Sequence, residues 1–331
     1  MTDRDMTDRD KTDTDMTSTD MTSTLVAAVV PAFDPPGNLA DLVADLRAQT
    51  GRVVVVDDGS PDAGTAQVLV ACADAGAVVL RQEINSGIAA ALNTAVAEAR
   101  SRWPEVTAIL TVDQDSRLGT DHVDRLVTAW QTAVADGLAV ALVGPEHVEG
   151  LPSMVRRGRS GRSGRSGRQG LPGVLPGREP VQSGLLVPTA VLDRVGAFDE
   201  SLVIDGVDTD FFLRCLDAGG EVVVAPGTTI GHRLGTGHPV RLLGRPVVVA
   251  GRPLVLTVSA PFRYYYLSRN RIRLVRRHGR RHTGWAVGQV VGLARHLLLV
   301  QTLVPGRRVR ARELRHGLRD GLRDVGGRRP D

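Results

Sequence analysis

Four apolar, largely β-branched runs in the first part of the chain restrict its fold more than any other feature, because each ends abruptly in polar residues. LVAAVVPAF (25–33) runs into Asp34, and RVVVV (52–56) into Asp57-Asp58-Gly59-Ser60. AVVLRQ (77–82) precedes Asn85-Ser86-Gly87, and VTAILTV (106–112) runs into Asp113-Gln114-Asp115. Amphipathic segments separate them: NLADLVADLRAQ sets Leu39, Leu42, Val43 and Leu46 on one helical face, and GIAAALNTAVAEAR does the same for Ile88, Ala91, Leu92, Ala95 and Val96. A later segment, DHVDRLVTAWQTAVAD, aligns Val123, Leu126, Val127 and Trp130 before a further strand, LAVALVGP. Continuously apolar strands alternating with helices predict an α/β fold with a mostly parallel sheet covered on both faces. In such sheets ligands bind beyond the carboxyl ends of the strands, where the polar clusters fall.

Residues 1–24, a degenerate Met/Thr/Asp/Ser repeat without apolar periodicity, are expected to be disordered. Residues 25–235 read as one α/β domain. It is interrupted at 155–180 by a Gly/Ser/Arg-rich stretch, read as a mobile basic loop and either a tolerated insertion or a strip facing an anionic partner. From 236 to 331 the chain is Arg-rich and reads as mainly helical. Of its segments, WAVGQVVGLARHLLLVQTLV has the length of a bilayer span, but Arg295 and His296 in its middle favour a surface or buried helix.

The 37 acidic residues are outnumbered by 41 basic ones, of which only Lys11 is a lysine, giving a net charge of +4. The excess of arginine either suits an anionic partner, through forked hydrogen bonding to phosphate, or reflects codon bias. Cys72 and Cys215 form no CxxC pair, which suits a reducing cytosol. No apolar leader opens the chain. Neither G-x-G-x-x-G after the first strand nor G-x-x-x-x-G-K-[ST] occurs, which argues against a nicotinamide-dependent dehydrogenase and a P-loop nucleotidase. Nucleic-acid binding by the arginines has little support, since aromatic residues make up 3% of the chain and cluster only at Tyr264–Tyr266.

Each polar cluster has a bland reading and a chemical one. Asp113 and Asp115, two apart at a strand end, form either a turn or the carboxylate pair that a hard divalent cation takes together with substrate phosphates. Asp57 and Asp58 before Gly59 are either an Asp-Gly turn or acceptors for a pyrimidine N–H or a ribose hydroxyl. Asp208 and Asp210 in IDGVDTDFF open a helix, where acids are favoured by the dipole. Asp210 reads as structural, whereas Asp208 stands equally well as a general base. His232 is either structural or a ligand.

Taken in order, VVPAF, VVVVDDGS, NSGIAAALN, TVDQDS, SGLLV, GAFDE, DGVDTDFFLR and IGHRLG resemble glycosyltransferase family 2, whose inverting enzymes have the GT-A (nucleotide-diphospho-sugar transferase) fold. N-x-G-I-A-x-A-x-N, DQDS and FRYYYLSRN are similar to its bacterial rhamnosyltransferase branch. The resemblance spans roughly 25–275. It implies a nucleotide-sugar donor bound by Ala32, Phe33, Asp57, Asp58, Asn85, Gly87, Asp113, Ser183 and Gly184. It also implies Mg²⁺ or Mn²⁺ on Asp115 and His232, and Asp208 as the base. Val207 stands where the family usually has Glu, which leaves Asp205 as a competitor. The implied reaction transfers L-rhamnose from dTDP-L-rhamnose, or another sugar from a UDP donor, to a saccharide or polyprenyl-diphosphate-linked acceptor. The enzyme is expected in the cytoplasm at the inner face of the plasma membrane; a basic scaffold is the non-enzyme alternative.

Overall fold

The computed structural model describes residues 25–156, 173–231, 236–242, 245–246, 248–249, 252–253 and 255–329. The N-terminal repeat, most of the basic loop and His232 lie outside the described residues.

The first half alternates as expected: β1 (Val26–Ala32), α1 (Leu39–Thr50), β2 (Val53–Asp57), α2 (Thr65–Asp74), β3 (Val78–Arg81), α3 (Ile88–Arg102) and β4 (Ala108–Thr111). These strands pair in parallel in the order β3-β2-β1-β4. Their unbroken apolar runs are explained by burial on both sides. Val26, Ala28, Val30 and Ala32 of β1 join a core with Leu39, Val43 and Leu46 of α1. Ala27 and Val29 face the opposite core with Ala91, Leu92 and Ala95 of α3. Burying a Leu or Val completely contributes about 1.5–3 kcal/mol, so a one-residue slip in any of these strands would exchange the two faces at little gain.

The remaining elements are β5 (Arg117–Leu118), α4 (His122–Ala135), β6 (Val140–Val148), β7 (Leu175–Pro176), β8 (Leu185–Pro188), α5 (Thr189–Val195), α6 (Val207–Asp217) and β9 (Glu221–Gly231). The sheet continues from β4 as β8-β6-β9-β5, with β7 on β9. Here it is mixed: β8 runs antiparallel to β4 and to β6, whereas β6 and β9 are parallel. The expected α/β fold, a central sheet flanked by helices, is present, parallel in one half and mixed in the other. Strand β9 continues through Pro226-Gly227. A register shift opposite Pro145/His147 absorbs the irregularity, and β5 then pairs with its end.

Helices α7 (Arg263–His278), α8 (Thr283–Leu303) and α9 (Arg307–Leu322) follow. The face α7 turns toward the sheet domain carries the buried polar side chains of Arg269, Asn270 and Arg273, while Ser268 and Tyr264 are buried against α8 and α9; Tyr265 and Tyr266 are buried as well. This burial removes the tyrosines from any base-stacking role. At α1, Gly51 adopts φ +69° and returns its N–H to Arg47, a left-handed stop that favours glycine.

Candidate active site

A cavity of about 1000 Å³ opens at the carboxyl ends of β1, β2 and β4 and is roofed by α6 and α7. Ala32, Phe33, Asp58, Asn85, Gly87, Asp113, Asp115 and Asp208, drawn from five separate sequence clusters, line it. Asp57, Ser183 and Gly184 do not. Adjacent residues leaving a strand point to opposite sides, and in two pairs the neighbour faces the cavity. Asp57 is fully buried behind it, accepting hydrogen bonds from Ser60 and an ion pair from Arg81 Nε at 3.1 Å. Ser183 faces inward while Gln182 lines the cavity. Gly184, at φ +70°, is held to glycine by packing, since a Cβ there would lie 1.9 Å from Ile230 Cδ1. These three residues brace the residues that line the cavity.

Asp58 is held by its neighbours' backbone: the N–H groups of Ser86 and Gly87 donate to its two oxygens at 2.7 and 2.8 Å. Burial pushes its carboxyl above the ordinary value, against the downward pull of those two amides. Gly87 has φ +100°, and a Cβ there would sit 2.5 Å from the Val203 carbonyl oxygen. NSG therefore needs its glycine for close approach to the 203–206 segment.

The DQDS turn is braced at Asp113, Gln114 and Ser116. The Gln114 side chain grips the Phe33 backbone twice, accepting from its N–H at 2.8 Å and donating to its carbonyl at 2.9 Å. Ser183 Oγ accepts from the Asp113 N–H at 3.0 Å and lies 2.6 Å from Ser116 Oγ. Gln182 donates to Asp113 Oδ1 at 2.9 Å. The turn and the metal-site readings are thus not exclusive, for a tightly held turn presents both carboxylates to one cavity.

Residues 203–206 carry the second carboxylate group in a costly backbone: φ is +65° at Val203, +63° at Asp205 and +100° at Gly206, and a β-branched residue is rarely found there. Buried groups of α7 hold it in place. Asn270 Nδ2 reaches the carbonyls of Leu202, Ile204 and Asp205 at 2.7–2.8 Å, and Arg269 Nη2 those of Ser201 and Leu202 at 3.1 and 3.0 Å. This accounts for the "RN" of FRYYYLSRN.

Asp205 is clasped by Arg263 through both oxygens. Asp208, half-buried in the first turn of α6, accepts the Thr209 N–H at 2.8 Å. Its carboxyl is raised to about 6, first by burial and then by the charge of Glu179, with Asp205 and Asp113 adding to the Thr209-opposed rise. Asp208 has the raised basicity of a proton acceptor near neutral pH, while Asp205 is committed to Arg263. Asp210 is structural: fully buried, it pairs with Arg214, Arg277 and His278, which outweigh the upward push of burial and hold it at about 2.

Glu179, Gln182, Arg271, Arg328 and Arg329 have no motif in the sequence, and Arg263 lies in FRYYYLSRN without an expected role, yet all but Glu179 line the cavity and Glu179 adjoins Asp208. Arg271 has its Nε buried without a partner among the described residues. For a divalent cation the site offers hard oxygen donors at Asp113 and Asp115, the ligand type Mg²⁺ and Mn²⁺ take. Among the described residues no group of three or more His, Cys, Asp or Glu side chains forms a self-sufficient metal cage.

Residues 27–186 match the profile of Glycosyl transferase family 2. The chain is 27% identical over 267 residues to the dTDP-rhamnosyl transferase RfbF of Shigella flexneri, covering 76% of this chain and 80% of that protein. Among solved structures, it is similar to S. aureus TarS 1-349 in complex with UDP (TM-score 0.47, 17% identity, 91% of this chain and 72% of that one). It is also similar to glucosyl-3-phosphoglycerate synthase from Mycobacterium tuberculosis in complex with Mg²⁺ and UDP (TM-score 0.43, 16% identity, 65% and 73%). With the strand-end motifs gathered on one cavity, residues 27–186 form a glycosyltransferase family 2 domain, and the chain as a whole is similar to a bacterial rhamnosyltransferase.

Proposed function

We propose that the enzyme transfers L-rhamnose, with inversion, from dTDP-L-rhamnose to a hydroxyl of a cell-envelope or lipid-linked saccharide. The observation that carries this reading is Asp208, raised to about 6 on the wall of the cavity that Asp58, Asp113 and Asp115 also line. The name of the Shigella relative supports the choice of donor.

Asp58 accepts from the base or ribose of the nucleotide, with Ala32, Phe33, Asn85 and Gly87 shaping that end of the cavity. Asp113 and Asp115 would hold a divalent cation, with His232 completing the set as the family resemblance implies. When bound, the cation neutralises charge on the leaving diphosphate. Asp208 accepts the proton of the acceptor hydroxyl as that oxygen attacks the anomeric carbon from the face opposite the diphosphate. Arg263 keeps Asp205 paired and out of competition for that proton.

Helix α8 supports attachment at a membrane surface. By length and composition it could cross a bilayer, with hydropathy 1.3 and 11% of its apolar window buried. Its contacts with the sheet domain through Trp285 and Gln289 favour lying flat instead. Val287, Val290, Val291 and Leu298 are left exposed. Residues of this kind enter the headgroup boundary while flanking arginines meet anionic lipid, and the cytoplasmic leaflet is the anionic one.

A thermal-shift series with dTDP-rhamnose, dTDP-glucose and UDP-sugars, each with and without Mn²⁺, tests the donor. The expected result is the largest, Mn²⁺-dependent stabilisation by dTDP-rhamnose. Stabilisation by UDP-sugars alone would replace the donor, and none by any nucleotide sugar would overturn the reading.

A further inference from the structure

The last described residues return to the cavity. Beyond α9 the backbone takes positive φ at Asp324 (56°) and Gly327 (79°) and runs back along α7. It is fastened along the way. Arg273 Nε donates to Asp324 Oδ1 at 2.9 Å, the Gly327 N–H to the Ser201 carbonyl at 2.7 Å, and the Arg329 N–H to the Tyr266 hydroxyl at 3.1 Å. Gly326 fits because it has no side chain: a Cβ would lie 2.9 Å from Ser201 Cβ and 3.1 Å from the Arg273 guanidinium. The tail therefore has a built seat, and it carries two arginines to the cavity lining.

The two are not equivalent. Arg329 is engaged by the protein, pairing with Glu313 and standing 5.1 Å over the Tyr265 ring. Arg328 is exposed and donates through Nη1 to the Asn85 carbonyl at 2.9 Å, two residues from the amide that holds Asp58. A guanidinium has five N–H donors in a planar fork, and one carbonyl engages only one of them. The cavity is rich in carboxylates, and of its other guanidiniums Arg263 is taken by Asp205 and Arg271 is half-buried and bonded to Gln289. A nucleoside diphosphate entering it needs cationic partners, and forked pairing of guanidinium with phosphate is among the stronger charge-assisted contacts.

We infer that Arg328, delivered by the C-terminal tail, is a binding residue for the diphosphate of the nucleotide-sugar donor. This rests on the donor reading above. A diphosphate could also arrive on a lipid-linked acceptor, but the bond to Asn85 sets Arg328 at the nucleotide end.

Calorimetric titration of dTDP with Mg²⁺ into the full-length wild type and Arg328→Ala tests it. Thymidine serves as the probe without phosphates, and exposed Arg323→Ala as the charge-matched control. Loss of a charge-assisted bond is expected to weaken dTDP about tenfold and leave thymidine and the control unchanged. Arg328→Lys, which keeps charge without the fork, should recover part of the affinity. The donor KM should rise while the acceptor KM stays. Equal dTDP affinity in Arg328→Ala and wild type would overturn the inference, as would a change confined to the acceptor KM. A wild type that binds neither dTDP nor UDP would instead remove the donor reading, and this inference with it.

Discussion

The indole N–H of Trp285 donates to Glu179 Oε2 at 3.0 Å, while Glu179 Oε1 accepts from Thr209 Oγ1 at 2.6 Å. Helix α8 is thereby tied to a carboxylate whose charge, after burial, does most to raise Asp208. Glu179→Gln removes that charge, so the Asp208 carboxyl should fall from about 6 toward its ordinary value. A base must be ionised to work. Activity in the wild type should therefore be lost as pH drops through about 6, and in Glu179→Gln the acid limb of kcat/KM should move to lower pH. Arg271, Asp205 and Asp113 stay in place in both proteins, and a limb that does not move would show that Glu179 acts only through packing.

Asn270→Ala leaves the carbonyls of Ile204 and Asp205 without their side-chain donor, and that of Leu202 with Arg269 alone, beneath a segment already held at positive φ. Unsatisfied buried polar groups cost about 1–3 kcal/mol. Urea unfolding should show a loss of that order. Transfer should fall more than dTDP affinity does, because the misplaced segment leads into Asp208 and not into Asp58.

Gln114→Ala opens the double hydrogen bond to Phe33 at the surface end of β1. The protein should fold with little change in Tm, since the cores below are untouched. The donor KM should rise several-fold, as the Asp113–Asp115 turn is no longer clamped to the strand that carries Ala32 and Phe33. Gln114→Glu keeps an acceptor for the Phe33 N–H but loses the donor to its carbonyl, and should not restore the KM.

Co-sedimentation with vesicles containing anionic lipid should deplete the wild type from solution at low salt and release it at high salt, as screening requires. Val290→Asp with Val291→Asp should abolish sedimentation and leave transfer to a soluble acceptor intact. Equal sedimentation of the variant would mean that α8 is not the attachment face.

Much of the site was legible in the sequence because its acids terminate continuous apolar strands, a pattern that both locates the carboxyl end of the sheet and gathers residues 80 positions apart, such as Phe33 and Gln114. What could not be read was which of two adjacent residues faces the cavity. Asp57 and Ser183 point inward, and Asp58 and Gln182 outward, as the twofold period of a strand demands once the register is known. The direction of β8 was hidden as well, because four apolar residues, Leu185–Pro188, carry no information on which way they run. β5, two residues long, exists only through its pairing with β9. Arg263, Glu179 and Arg328 reach the site from distant segments by tertiary packing alone, so no local spacing marks them.

The central claim is that Asp208 is the proton acceptor, and Asp208→Asn tests it most directly. A carboxyl raised by the fold binds its proton more tightly folded than unfolded. Its ionisation therefore lowers stability as pH climbs from the ordinary carboxylate range through about 6. The Asn variant should accordingly have a higher Tm than wild type at pH 8 and no such advantage at pH 4. At pH 8 it should bind dTDP normally and transfer rhamnose about 10²–10⁴-fold more slowly, the range that general-base assistance supplies. A folded Asp208→Asn enzyme with wild-type transfer rate would contradict the account.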